Sequence, residues 1–381
     1  MSKVVRVIAL DKEPYKTVDD PKLKILKFDF AQTNKLLDFL KKQEFDGVYA
    51  MNDHAILPAA RVVNKFKIKG NSCLESEALI DKSVMRKIWL EKNLSQPNFI
   101  AVNNFKDATK AAGKIGFPLI IKPAASGGAG RGVFKVNSMT ELKKYYPSVK
   151  NECRYARAII IEEYIQGIES SLEVIFIKQK AFLLAISSKA KPSGNSQVAT
   201  EIVYPAQLSP SVITRIFNLV TEAGLALGIA NGVGHFEVIT DNNDIPFLVE
   251  VGGRAGGGHT FHPVVSHVSG INYPQLVAHL YAGNFDKAEK MLCSEIKTNS
   301  AVYSFPVTKK SGIIKEITFG TLPAENCIAE CWKKNGDFVE GFSSSMDRLG
   351  CLVLLSNKGV QNAINSSREI MSQFKLDILP N

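Results

Sequence analysis

Two glutamates, Glu237 in HFEVIT and Glu250 in PFLVEV, alternate with apolar neighbours. In a strand each therefore stands on the face opposite those neighbours. The intervening DNND is a hairpin signal, and a hairpin can set the two carboxylates side by side. Adjacent carboxylates repel unless a proton or cation lies between them, and Mg²⁺, which takes oxygen ligands, suits that place. Four residues after Glu250, within the glycine-rich EVGGRAGGGH, Arg254 is suited to a carboxylate or an acyl phosphate. The plainer alternative for the pair is two solvated glutamates.

Lys122 ends the apolar run PLIIK, and the loop Ser126–Gly132 follows, with Gly127, Gly128 and Gly130. Glycines let backbone N–H groups approach an anion, and a lysine adds a mobile positive charge. The next element is FKV, a strand, and no GK[ST] ending is present. The loop is thus neither a dinucleotide fingerprint nor a P-loop, and a simple hairpin turn is its alternative. In EEYIQGIE, Glu162, Glu163 and Glu169 flank an apolar strand end, where they can accept bonds from an adenine amino group or ribose hydroxyls. Taken alone they read as surface charges before anything else. Lys82 and Arg86 lie four apart on one helix, an arrangement ordinarily solvated. His259, His262 and His267 fit no single face and Pro263 interrupts them, so packing or substrate contacts are expected there rather than a metal.

The elements that must position these residues alternate at first: strands at 4–10, 24–30 and 45–51, a helix at 36–43, then helices through AILPAARVVNKF and SEALIDKSVMRKIWLEKN. That order predicts a parallel α/β unit. From Phe117 a small antiparallel α+β unit is expected, then a helix over 210–228, the 235–251 hairpin, and a last helix near 360–374. The 381 residues, 45% hydrophobic and 22% charged, exclude a mainly disordered chain, and no apolar run approaches the roughly 20 residues of a membrane helix. The six cysteines contain no CxxC pair, and reduced thiols in a cytoplasmic protein are expected. The net charge of +10 comes from dispersed lysines with few arginines, which argues against a nucleic-acid partner.

In chain order, DKSVMR, a strand ending IIKP, the glycine-rich loop, EEYIQGIE, FEV and LVEVGGR resemble the ATP-grasp superfamily over residues 45–375. More narrowly the chain resembles the carboxylate–amine ligases related to bacterial L-amino acid ligases, biotin carboxylase and carbamoyl phosphate synthetase. The resemblance implies an α/β and α+β fold. It divides into an N-terminal Rossmann-like unit (1–78), an ATP-grasp core (79–300) with a lid at about 114–187, and a C-terminal unit (301–381). It implies ATP and Mg²⁺, with Mn²⁺ as a substitute, and small carboxylic acid and amine substrates, no membrane, and a homodimer as in relatives. Lys82 and Lys122 resemble the lysines on the ATP phosphates, and Ser126–Gly132 the loop that closes over them. Glu162, Glu163, Tyr164 and Ile165 match the adenine hinge, with Glu163 the side-chain partner. Glu169 matches the ribose acid, Glu237 and Glu250 the metal acids, and Arg254 the arginine steadying the acyl phosphate.

Two departures stand out. The position two after Glu250, usually asparagine in the family, is Gly252. VVRVIALD resembles the family's second strand rather than its first, so either an abbreviated N-terminal unit or a lost start is expected. The implied reaction activates a carboxylate as an acyl phosphate for attack by an amine, with His259 as a guess for the base. Another ATP-grasp chemistry (carboxylase, formyl transfer or small-molecule kinase) and a non-catalytic nucleotide-binding module are the alternatives.

Overall fold

The computed structural model describes residues 6–11, 22–71, 73–125, 130–153, 158–192, 197–293, 299–320, 322 and 325–379. Near the N-terminus, β1 (Val7–Asp11) and β2 (Leu23–Lys27) pair in parallel, followed by α1 (Thr33–Leu40) and α2 (Asp53–Phe66). The strand expected at 45–51 does not form. The segment instead packs Gly47 against the Tyr281 carbonyl, where a side chain would collide, and Tyr49 against the Tyr281 ring. The single helix expected over 76–93 is two, α3 (Cys73–Ala78) and α4 (Lys82–Glu91). The break has a local cause: the Asp81 carboxylate accepts the Ser83 N–H at 2.8 Å and caps α4, which places Lys82 at its first turn.

Next come β3 (Phe99–Val102), α5 (Phe105–Ile115), β4 (Leu119–Pro123), β5 (Phe134–Val136), α6 (Met139–Asn151) and β6 (Ile159–Glu163). They form a four-stranded antiparallel sheet, β3-β6-β4-β5. Its apolar face buries Leu119, Ile121, Ile159 and Ile161 against Ala108, Ala111, Leu142 and Val149 of the two helices. The glycine-rich loop connects β4 to the antiparallel strand β5, which is the strand–turn–strand order read from the sequence.

The remaining chain supplies β7 (Gly167–Ile177), β8 (Lys180–Ala190), β9 (Glu201–Tyr204), α7 (Pro210–Ala226), β10 (Gly232–Asp241) and β11 (Pro246–Gly252). Then follow α8 (Val264–Ser269), α9 (Tyr273–Tyr281), α10 (Phe285–Leu292), β12 (Ser300–Ser304), β13 (Gly312–Thr318) and β14 (Cys327–Cys331). The last elements are β15 (Phe338–Val339), β16 (Gly350–Ser356), α11 (Val360–Ser372) and β17 (Lys375–Leu379). An eight-stranded sheet runs β11-β10-β7-β8-β9-β12-β16-β14, so three strands at or beyond residue 300 extend it.

Both faces of this sheet are covered. Leu172, Val174 and Phe176 of β7, with Phe236 and Val238 of β10, pack on Val212, Ile216 and Val220 of α7. On the other face, Ile175, Ile177 and Val233 pack beneath Val264, Val268, Leu276 and Val277 of α8 and α9. Along that second face β7 changes character: Ile175 and Ile177 lie under the helices, whereas Glu169, Ser171 and Glu173 follow on the same face, with Glu173 reached by the Tyr273 hydroxyl at the start of α9. Polar side chains at a two-residue period on an otherwise apolar strand mark where the sheet meets something other than core. Among the described residues no helix is long and apolar enough to cross a membrane.

Candidate active site

The polar end of β7 forms part of a cavity of about 910 Å³ between the four-stranded sheet and the large one. Strand register brings its floor together. Across β10, Ser171 faces Glu237 and Glu173 faces His235; across β8, Glu169 faces Lys189. Glu237 is paired directly with Glu250 across the β10–β11 hairpin, as the alternation predicted. A bulge follows, since Val238 pairs with Leu248 and leaves Val249 unpaired, and Val249 lines the cavity together with Glu250.

The two carboxylates are separately engaged. Glu250 lies 3.1 Å from Lys82 Nζ, and Glu237 is hydrogen-bonded by Lys189 Nζ. Burial works to raise the Glu250 pKa, but Lys82 and Lys122 outweigh it and hold the carboxyl at about 2. Glu169 is also bracketed, by Lys189 at 2.8 Å and by Lys191. Burial again opposes ionisation there, and the two lysines bring the pKa down to about 2.

Lys122, Glu162 and Arg86 form a buried ionic triad. Lys122 Nζ lies 2.6 Å from Glu162 Oε1, and Arg86 Nη2 lies 2.7 Å from Glu162 Oε2. Arg86 is fully buried, which corrects the expectation that it is solvated; its Nη1 donates to the Leu248 carbonyl at 2.8 Å. One guanidinium thereby ties the strand that carries Glu250 to the strand that carries Glu162. Burial depresses the Lys122 pKa, and Glu162 only partly offsets it. Glu163, adjacent in sequence, makes a different contact: its carboxylate accepts the Asn98 side-chain amide at 2.9 Å. Glu163, Tyr164 and Ile165 line the cavity beside Glu162. Gly130, at φ +66°, lines it too, while Ser126, Gly127 and Gly128 lie outside the described residues.

Arg254 is held by a bidentate pair with Asp53, Nε to Oδ1 at 2.6 Å and Nη2 to Oδ2 at 2.9 Å. Asp53 opens α2, so the N-terminal elements aim an arginine that belongs to the large sheet. A Cβ at Gly252 would meet nothing nearer than Arg254 Cγ at 3.6 Å and Asp53 Oδ1 at 3.7 Å, so space does not dictate the glycine.

Several side chains were missed in the sequence. Glu173 is almost wholly buried and accepts from His235 Nδ1 at 2.5 Å, the Gly256 N–H at 3.0 Å and the Tyr273 hydroxyl at 2.7 Å. Its signal was present, because Glu169, Ser171 and Glu173 share one strand face. Lys189 and Lys191 alternate in the same way in SSKAK. The imidazole lining the cavity is His235, whereas His259 Nε2 lies 3.2 Å from Glu330. The three histidines of HTFHPVVSH do not converge, having Glu330, Ser266 and the Ser356 carbonyl as separate partners.

A model of the ATP-grasp domain matches residues 115–262. A D-alanine–D-alanine ligase of Ralstonia nicotianae is 29% identical over 222 residues, which is 56% of this chain and 66% of that protein. The match thus spans just under two-thirds of the relative's length. The crystal structure of an L-amino acid ligase from Bacillus licheniformis superposes with a TM-score of 0.81 at 20% identity, covering 98% of this chain and 93% of that one. The biotin carboxylase domain of a Hydrogenobacter thermophilus 2-oxoglutarate carboxylase, crystallised with MgADP, ADP and bicarbonate, gives 0.68 at 16% identity over 93% and 81%.

Proposed function

We propose, from the premise that this chain is built on the ATP-grasp fold, that it is an ATP-dependent carboxylate–amine ligase. It forms an amide through an acyl phosphate and releases ADP and phosphate. The observation that carries this reading is the directly paired Glu237 and Glu250 in a cavity also lined by Lys82, Lys122 and Arg254. A carboxylate is a poor electrophile because its leaving group would be oxide. Attack of its oxygen on the ATP γ-phosphorus expels ADP and gives an acyl phosphate, from which amine attack at carbon expels phosphate.

The hinge residues Tyr164 and Ile165, with Glu163, receive adenine, and Glu169 receives the ribose. Lys82 and Lys122 meet the phosphates, one from a helix start and one from a strand end. Glu237 and Glu250 offer a divalent cation only oxygen donors, and lysine side chains now occupy the space beside them, which fits Mg²⁺ and also Mn²⁺. When bound, Mg²⁺ supplies charge neutralisation at the β- and γ-phosphates.

Arg254, fixed by Asp53, holds the reacting carboxylate. The Gly256 N–H is committed to Glu173, which leaves Gly257 and Gly258, both lining the cavity, to face the tetrahedral oxyanion. His235, with Nδ1 on Glu173, has Nε2 left to take the amine proton, and it replaces His259 in that role. Closure of the four-stranded sheet and its glycine-rich loop over this chemistry would exclude the water that hydrolyses the acyl phosphate.

The test is a screen of acid–amine pairs by phosphate release, with bicarbonate among the acids. ADP and phosphate are expected only when Mg-ATP, acid and amine are all present. Release with acid alone and a stable phosphorylated product would make the protein a kinase, and release specific to bicarbonate would make it a carboxylase. Glu250→Gln should abolish turnover; full activity in that variant would remove the metal assignment.

A further inference from the structure

Away from the lysines and glutamates, the cavity has a wall built by the C-terminal third of the chain, including Tyr303, Phe305, Trp332 and Arg348. Arg348 stacks on Phe305, with its guanidinium carbon 3.5 Å from the ring centroid, and Nη2 donates to the Ala199 carbonyl at 2.6 Å. Among the described residues its buried Nε has no hydrogen-bond partner, and no carboxylate pairs with the guanidinium. The acids nearby are committed elsewhere: Asp347 to Ser343 and Ser344, Glu330 to His259 and Trp332. By contrast Lys82, Lys122, Lys189, Lys191 and Arg254 in the same cavity each have a carboxylate partner, while Lys135, which also lines it, lies over the Tyr164 ring, 3.8 Å from the centroid.

A half-buried cation without an anion is costly, and burial accordingly lowers the Arg348 pKa to about 10, which still leaves it charged at neutral pH. Arginine presents a planar fork that matches a carboxylate.

We propose that Arg348 is a specificity-determining residue that binds a substrate carboxylate other than the one that is activated. The molecule held at this end of the cavity therefore carries an anionic group that takes no part in bond formation. This inference rests on the ligase reading for the word substrate, but the binding it asserts is measurable without turnover.

Trp332 lines this wall and Trp89, the other tryptophan, is fully buried, so intrinsic fluorescence reports on the site. The full chain, with Mg-ADP present, is titrated with succinate, glutarate and adipate and with their neutral diamides. At least one diacid is expected to bind about 100-fold more tightly than its diamide, and Arg348→Gln to cut that preference at least about tenfold, the contact with Arg254 remaining, while leaving the diamide unchanged. Should Arg348→Gln not fold, Arg348→Lys is compared instead, with at least about tenfold weaker diacid binding expected from loss of the fork. Equal binding of acids and diamides, binding of none, or an unchanged preference in the variant overturns the proposal. Failure of the ligase reading shows separately, as absence of phosphate release from the wild type with every acid–amine pair.

Discussion

Replacing Glu162 by glutamine changes one oxygen to an amide nitrogen at the centre of a buried triad. Glu162 accepts from Arg86 at 2.7 Å and from Lys122 at 2.6 Å, and all three side chains are at most 5% exposed. The amide can still accept from one cation but turns an N–H donor toward the other, and the net charge of the cluster rises from +1 to +2. Removing one partner of a buried ion pair costs about 3–5 kcal/mol, because the charge left behind is not resolvated. Against a total stability of about 5–15 kcal/mol that is a large fraction. With a urea m-value of about 3 kcal/mol/M, the midpoint falls by about 1–1.7 M. The assay is urea unfolding followed by Trp89, which packs 5.9 Å from the Arg86 guanidinium. Glu163→Gln is the internal control, since its partner is the exposed Asn98 amide; a change within about 0.5 kcal/mol is expected there. Adjacent glutamates should thus differ severalfold in effect. A Glu162→Gln midpoint within about 0.3 M of wild type would refute the reasoning, by showing that the cations find water or another acceptor at no cost.

Asp53→Asn should lower kcat/KM by about 10–100-fold with little change in unfolding midpoint, because it frees Arg254 rather than opening the core; an unchanged kcat/KM would deny that Asp53 aims the arginine. In Gly256→Ala the new Cβ would lie 2.6 Å from Glu173 Oε1, so the carboxylate must leave the Gly256 N–H and shift His235. That variant should lose at least about tenfold in kcat, with its pH–rate profile displaced, and an unaltered profile would count against His235 as the base. The pH dependence of stability has a definite sign. Glu169 is held at about 2, below the ordinary carboxylate value of 4.5, so its contribution is complete above pH 4.5 and is lost as the pH falls from there toward 2. Lys189→Met with Lys191→Met should flatten stability over that window, as read by urea unfolding at successive pH values; an unchanged slope would exclude the two lysines as its cause.

Much of the site was legible because its signals are local. Period-two alternation placed Glu237 and Glu250 on one face, and a hairpin of fixed register then left them little choice but to pair. A glycine-rich loop running into FKV marked a strand–turn–strand, and Asp81 before Lys82 marked a helix start that was overlooked as a cap. Glu173 was equally visible in principle, sharing a face with Glu169 and Ser171, but it was absorbed into an apolar strand. The strand expected at 45–51 shows the reverse error: FDGVYAM has strand composition, yet its backbone is used against Tyr281.

By itself, then, the amino-acid sequence determined which residues could share a strand face and where helices start, since these follow from backbone period and capping within a few residues. Only the tertiary structure decided which charges meet: Asp53 with Arg254 across 201 positions, Arg86 and Lys122 on one glutamate, and Arg348 on Phe305 with no acid among the described residues. Composition shows 47 basic residues and no distinction among them. Burial makes the distinction, because a charge withdrawn from water must find a partner in the fold or wait for one in a ligand.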